Sequence, residues 1–234
     1  MSDLSDPLSK DETPETGLRS RKKAQRRQDI LSVAGRLFND NGFDATTMVE
    51  IAENTGVSPP TVFNYFGSKE NILSALLFEG TARVRVEHLA QRPREDQPFV
   101  VILTRLLCEL TENTMRIAGK RVWRYAESAN IRRVGTEFQK QFAESDLALL
   151  RLIRAYLGDY TLVLRSKRPA DYDFLAQMVY DLWTARYFEF IKDDGMTIEA
   201  HYDRLREDVA TWVDMLFDDA VAQATARHDA KAQR

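Results

Sequence analysis

The 234-residue chain is poor in the residues on which several protein classes depend. It has one cysteine, Cys108, which excludes an internal disulfide and a multi-cysteine zinc site. Its three histidines, His88, His201 and His228, are too scattered for a His-x-x-x-His metal pair. Ten glycines are too few for a turn-rich, many-stranded β fold. No apolar run approaches the roughly 20 residues of a membrane span. Residues 1–17 have neither a basic start nor an apolar stretch, so they do not read as a signal peptide, and a cytoplasmic location is expected. A glycine-rich phosphate loop and a Gly-x-Ser-x-Gly elbow are both missing. Neither metal nor cofactor is expected, nor a catalytic constellation.

What is present is an ordinary globular composition, 44% apolar and 29% charged, long enough to bury a sizeable core. The net charge of −3 is unevenly spread. Residues 1–17 carry five acids and one base, whereas 18–70 carry eight bases and six acids. Six of those bases fall between Arg19 and Arg27 with no acid among them. Such a block is a phosphate-binding arm if the adjoining domain reads DNA, and otherwise a solvated tail. The overall pI near 5.7 requires any nucleic-acid contact to be local.

The periodicity is helical throughout. Ile30, Ala34, Leu37 and Phe38 predict a helix over 23–40, stopped by Asn41-Gly42. Thr47 and Glu50 have capping-box spacing and open a helix over 48–55 that Gly56 ends. Ser58 is the expected cap of a third helix, 59–66, with Pro59 and Pro60 in its first turn. Ser68 caps a fourth, 69–89, carrying Ile72, Leu73, Leu76 and Leu77. The stretch from Arg92-Pro93 to Pro98 marks a domain junction. Further helices are expected over 99–117, 120–129, 136–156, 171–192 and 198–227. The fold class is therefore all-α. Cys108, beside Leu107 and Leu110, reads as a small core residue.

Residues 47–69 meet the requirements of a helix-turn-helix one by one. The first helix is short, and Ala52 is small where two helices must cross. Gly56 supplies the positive φ of the turn, and Val57 anchors it. Val62 and Phe66 fall six and ten positions past the glycine, where the second helix must be buried. Its other face then presents Ser58, Pro59, Pro60, Thr61, Asn64 and Tyr65 to a major groove. Together these features weigh far more than an isolated Ala-x-x-x-Gly.

The stretch ILSVAGRLFNDNGFDATTMVEIAENTGVSPPTVFNYFGSKENIL resembles the DNA-binding domain of the tetracycline-repressor (TetR) family. The resemblance implies a dimeric, all-helical regulator whose C-terminal domain holds a ligand pocket and the dimer interface. It implies that ligand binding spreads the two reading heads and releases a double-stranded DNA operator. It assigns DNA contacts to Thr47 at the start of the second helix, to Thr61, Asn64 and Tyr65 on the third, and to Lys69. Phe63 stands where a tyrosine is common, so a hydroxyl-to-phosphate bond is lost. Asn64 stands where a second aromatic is common and could pair an adenine edge. The expected organisation is an acidic disordered tail over 1–18 and a helix-turn-helix domain with a basic arm over 19–80. A ligand-binding and dimerisation domain over 81–228 and a frayed tail over 229–234 complete it. The arm is Arg21, Lys22, Lys23, Arg26 and Arg27.

Two further sets of residues are candidates. Trp123, Tyr125, Phe138, Phe142, Tyr156, Tyr180, Trp183 and Tyr187 would line a pocket for a hydrophobic or aromatic effector, or else form plain core. The last two helices carry more apolar surface than one core requires. Phe174, Met178, Leu182, Leu205, Val209, Trp212, Val213 and Leu216 are the expected homodimer interface, and an intramolecular core is the alternative. Three functions fit: a ligand-responsive regulator, usually a repressor; a DNA-binding protein of the same fold without an inducer; and a helical-bundle carrier or enzyme.

Overall fold

A computed structural model describes residues 14–90 and 97–222; side chains of 14–17, 86–90 and 222 are outside the description. Among the described residues the chain is helical, with only the isolated bridges Val163–Pro169 and Leu164–Phe217 in extended pairing. The helices are α1 (Pro14–Asp40), α2 (Met48–Thr55), α3 (Pro59–Phe66), α4 (Lys69–Ser74) and α5 (Gly80–Ala90). They continue with α6 (Phe99–Ile117), α7 (Lys120–Arg132), α8 (Glu137–Gly158), α9 (Tyr172–Lys192), α10 (Ile198–Leu216) and the short α11 (Asp219–Ala222). Between α4 and α5 a π turn, Ala75–Glu79, joins the two into one connector.

Local chemistry sets most of the boundaries. Side-chain oxygens of Thr47, Ser68, Thr136, Asp171 and Thr197 accept backbone amides at the starts of α2, α4, α8, α9 and α10. Two ends differ from expectation. Helix α1 begins at Pro14, so 14–18 are helical where a tail is expected; proline fits a first turn because its missing N–H has no partner there. Helix α10 stops at Leu216 instead of running on to 227, because Phe217 turns extended and pairs with Leu164. Residues 1–13, the junction at 91–96, the side chain of His88, His228 and the tail at 229–234 lie outside the described residues.

One buried apolar cluster runs from Ile30, Phe38, Ile51 and Val62 at the N-terminal end through Leu77 to Leu106, Leu107, Ile153 and Phe217. Helix α8 packs along α9, and α10 along α6. A polar chain crosses the second half. Trp183 Nε1 donates to Thr111 Oγ1 (3.0 Å), which lies 2.9 Å from His201 Nε2. His201 is fully buried and stacked on Phe190 at 4.7 Å, and burial pushes its pKa down to about 4. Cys108 is half-buried beside that core, and burial pushes its thiol up to about 11. Among the described residues no helix is long and apolar enough to cross a membrane. Nor do three or more of their His, Cys, Asp or Glu side chains gather where they could hold a metal ion.

Candidate DNA interface and ligand cavity

Helices α1 to α4 form the N-terminal head. Thr47 and Glu50 make the reciprocal capping box: Thr47 Oγ1 accepts the Glu50 amide (3.1 Å), and Glu50 Oε2 accepts the Thr47 amide (2.7 Å). The Thr47 hydroxyl also donates to Glu50 (3.0 Å), so its polar atoms turn inward onto a carboxylate. Gly56 takes φ 71°, and Val57 N–H donates to Ala52 O (3.0 Å), closing the turn. Ala52 and Val62 are fully buried at the crossing of α2 and α3. The Ser58 side chain caps no amide, contrary to expectation. Pro59 and Pro60 have no N–H, and the Thr61 amide reaches Ser58 O (2.9 Å), leaving the hydroxyl to pair with Thr61 Oγ1 (2.9 Å).

The outward face of α3 is narrower than the sequence suggests. Pro60, Asn64 and the neighbouring Ser58 are exposed, and Pro59 and Thr61 are half-exposed. Phe63 is 48% exposed, an apolar addition that sequence reading treated only as a missing hydroxyl. Tyr65 is half-buried beside Phe66 (6.4 Å between rings), facing a groove shared with α8 more than the open face. Lys69 does not face outward. Its Nζ donates to the carbonyls of Phe43 (2.6 Å), Thr46 (2.7 Å) and Asp44 (3.2 Å), which occupies all three ammonium hydrogens and fixes the loop before α2. On α1, Arg21, Lys22, Lys23 and Arg26 are exposed. Arg27 is not: it grips Glu79 with two hydrogen bonds (2.6 and 2.5 Å) and lies over the Phe66 ring at 5.0 Å. It is a strut between α1 and the π turn.

Behind the head lies a partly open cavity of about 280 Å³ lined by α5 to α9 and the π turn. Trp123, Phe142, Tyr180, Trp183 and Tyr187 line it as expected. Tyr125, Phe138 and Tyr156 do not. Tyr125 stacks on Phe43 of the head at 4.3 Å. Phe138 sits in the outer groove against Phe78 (5.4 Å), and Tyr156 is buried core. Sequence reading missed the charged lining: Arg85, Glu127 and Asp146. Desolvation raises the Glu127 carboxyl to about 7, and the nearby Asp146 adds to the shift. The Asp146 carboxyl is also raised by burial, against the opposing pull of the Tyr180 hydroxyl and Arg85. These residues come from three different helices, α5, α7 and α8, and single-sequence periodicity does not distinguish an acid facing a cavity from one facing water.

Two elements carry both the head and the cavity. The connector places Arg27's partner Glu79 on one side, and Phe78, Thr81, Val84 and Arg85 on the cavity. Gly80 packs against Ile117 so closely that a Cβ would lie 2.9 Å from Ile117 Cγ2. Helix α7 does the same from the other side. Its Arg121 donates to Asp40 O (2.9 Å) and its Tyr125 stacks on Phe43, while Trp123 and Glu127 face the cavity.

The expected dimer residues separate into two groups. Leu205, Val209 and Val213 are at most 2% exposed in the chain's own core and cannot meet a partner. Trp212 and Leu216 are half-buried against the same core. Phe174 is 61% exposed, and Met178 and Leu182 lie one and two turns further along α9, half-buried. Met215, which sequence reading passed over, is 71% exposed on α10.

Residues 30–76 match the family model described as bacterial regulatory proteins, tetR family. The HTH-type transcriptional repressor BdcR of Escherichia coli K12 is 33% identical over 92 residues, 39% of this chain and 46% of that relative. The alignments span less than half the length of the curated relatives they match. Solved structures extend the likeness in fold. A TetR-family regulator from Mesorhizobium loti superposes with a TM-score of 0.62 at 15% identity, covering 84% of this chain and 99% of that one. A transcriptional regulator from Saccharomonospora viridis, solved in complex with choline, superposes at 0.58 with 18% identity, covering 83% and 99%. The capped helix-turn-helix thus matches the tetR-family model over residues 30–76, and the helical body behind it shares the fold of solved TetR-family regulators.

Proposed function

We infer that the chain is a ligand-responsive transcriptional regulator, a repressor that binds a palindromic operator as a homodimer and is released by a small-molecule effector. The observation that carries this reading is α7, which presents Trp123 and Glu127 to the cavity and Arg121 and Tyr125 to the head. A ligand that moves α7 or the connector moves α3 with it. The choline held by the structurally similar regulator supports a ligand role for a body of this fold. One α3 reads too few base pairs for useful specificity, so a second copy on a two-fold axis is required, with α9 around Phe174, Met178 and Leu182 as the meeting face. DNA contacts are proposed for Arg21, Lys22, Lys23 and Arg26 on phosphates, and for Ser58, Pro60, Thr61, Phe63 and Asn64 in the groove. A cytoplasmic, non-enzymatic role goes with this reading.

Binding to a palindrome from the gene's own upstream region, measured by fluorescence anisotropy, is the test. Sequence-specific binding that a cavity ligand weakens is expected. The same factor must then weaken ligand binding to the DNA complex. Specific DNA binding that no cavity ligand alters would leave the inducer-free reading, and a failure to bind any duplex would leave a carrier or enzyme.

A further inference from the structure

We propose that the cavity selects a hydrophobic organic cation, with Glu127 as its counter-ion and the aromatic cluster of Trp123, Trp183 and Tyr187 as its wall. The proposal rests on the regulator reading and narrows it to a ligand class.

The lining is rich in acceptors and π faces. Trp123 Nε1 donates to Thr114 O (2.9 Å) and Trp183 Nε1 to Thr111 Oγ1 (3.0 Å), so both indole donors serve the fold. Trp183 and Tyr187 are stacked 5.0 Å apart at 16°, and Trp123 meets Tyr187 edge-on, so the three rings form one aromatic cluster in the cavity wall. A cation over such faces is attracted by the ring quadrupole, most strongly where water is excluded. The charged groups facing this space are Arg85 from α5, Glu127 from α7 and Asp146 from α8. Tyr180 and Tyr187 come from α9, and α6 contributes only uncharged side chains.

Arg85 already donates to Ser145 (3.1 Å) and offsets Asp146, whose other neighbour is the Tyr180 hydroxyl. Glu127 is left without a matching cation. A second, independent observation marks the same wall. Tyr187 is 3% exposed and lines the cavity, and its hydroxyl has no hydrogen-bond partner. A buried hydroxyl without a partner is costly, and a ligand that supplies one recovers that cost. An anionic ligand would instead meet two carboxylates.

Glu127 also sets the proton balance. Its carboxyl, raised to about 7, must be ionised to pair with a cation, so cation binding expels a proton at neutral pH.

The experiment titrates the full-length protein with benzyltrimethylammonium, neutral benzyl alcohol and anionic phenylacetate, following Trp123 and Trp183 fluorescence and calorimetry. The ammonium carries a permanent charge, so any pH dependence belongs to the protein. It is expected to bind at least about tenfold tighter than either other probe, and about tenfold more weakly near pH 6 than near pH 8. Glu127→Gln should abolish both the preference and the pH dependence without lowering the melting temperature, since it removes the cost of ionising a buried carboxyl. If that variant misfolds, proton release by the wild type in buffers of different ionisation enthalpy gives the same answer. Equal or tighter binding of the alcohol or phenylacetate overturns the proposal, as does the absence of any response to the ammonium. Operator binding by the same preparation tests the regulator reading separately, so either can fail alone.

Discussion

The N-terminal head and the helical body treat polar groups in opposite ways. In the head, the capping box at Thr47, the Ser68 cap and the Lys69 ammonium leave the ends of the helices and the loop before α2 satisfied by close neighbours. In the body, Tyr160, Thr184, Tyr187, His201 and Trp212 each bury a polar atom with no protein partner. On the regulator reading the head must hold one geometry against DNA, and local hydrogen bonds over a few residues achieve that. Of the body's unpaired groups, Thr184 and Tyr187 line the cavity, whereas Tyr160, His201 and Trp212 lie elsewhere in the core. Rigidity is thus placed in the head, and unspent polarity in the body.

That difference also explains what the sequence could convey. Caps, stops and the α2–α3 turn are encoded within four-residue windows, so Thr47, Gly56, Ser68 and the buried Val62 were readable in advance. So were the starts of the body helices, at Pro98, Thr136, Asp171 and Thr197, but not the end of α10, which Phe217 sets by pairing with the distant Leu164. Direction was not. The apolar stripe of α10 reads the same whether it faces a partner or its own core, and Leu205, Val209 and Val213 face the core. Arg27 sits in a basic run but finds Glu79, 52 residues away, and Lys69 finds carbonyls 23 to 26 residues back. Pairings that distant leave no periodic trace.

The sharpest way to break the comparison is to place a charge on each side of the body's surface. Val213→Glu puts an ionised carboxylate into a site 2% exposed, costing several kcal/mol, enough to deplete the folded protein. Phe174→Glu at a 61% exposed position should leave the fold intact and yield monomers by light scattering. A folded monomeric Val213→Glu would reverse the assignment of faces. In the head, Lys69→Met removes the donor for three carbonyls and the cation 4.5 Å above the Phe43 ring. A loss of about 3 kcal/mol in urea unfolding is expected, together with weakened DNA binding. Unchanged stability would mean that Lys69 is free to serve phosphate after all.

A pH titration separates two buried groups of opposite sign in the body. His201 stays neutral in the folded protein down to about pH 4, chiefly because burial penalises its charged form, with Lys120, Arg186 and Arg204 adding repulsion. The unfolded chain takes up that proton near pH 6.5. Stability is therefore lost as pH falls from 6.5 towards 4, by up to about 3 kcal/mol. Glu127 acts in reverse: with its folded value raised to about 7, stability falls as pH rises from 4.5 to 7. The readout is therefore the difference between wild type and variant. His201→Gln, which retains a partner for Thr111, should flatten the acid limb. An acid limb identical to wild type would show that His201 titrates normally.

The smallest effect on stability is expected from the basic arm, where the effect on DNA should be clearest. Arg21, Lys22, Lys23 and Arg26 are exposed on α1, and each phosphate contact they make steepens log K against log salt concentration by about 0.9. Replacing all four with alanine should change unfolding free energy by less than about 0.5 kcal/mol, because exposed charges contribute little to folding. It should flatten the salt slope by up to about 3 to 4 while leaving the preference for operator over random DNA nearly intact. Arg27→Ala should do the converse. Its guanidinium is committed to Glu79 and the Phe66 ring, so the salt slope should hold while the joint between α1 and the π turn weakens. If the fourfold variant kept the wild-type slope, the arm would be only a solvated helix end. If Arg27→Ala flattened the slope, the ion pair with Glu79 would be one that DNA displaces, and the strut would be part of the reading surface.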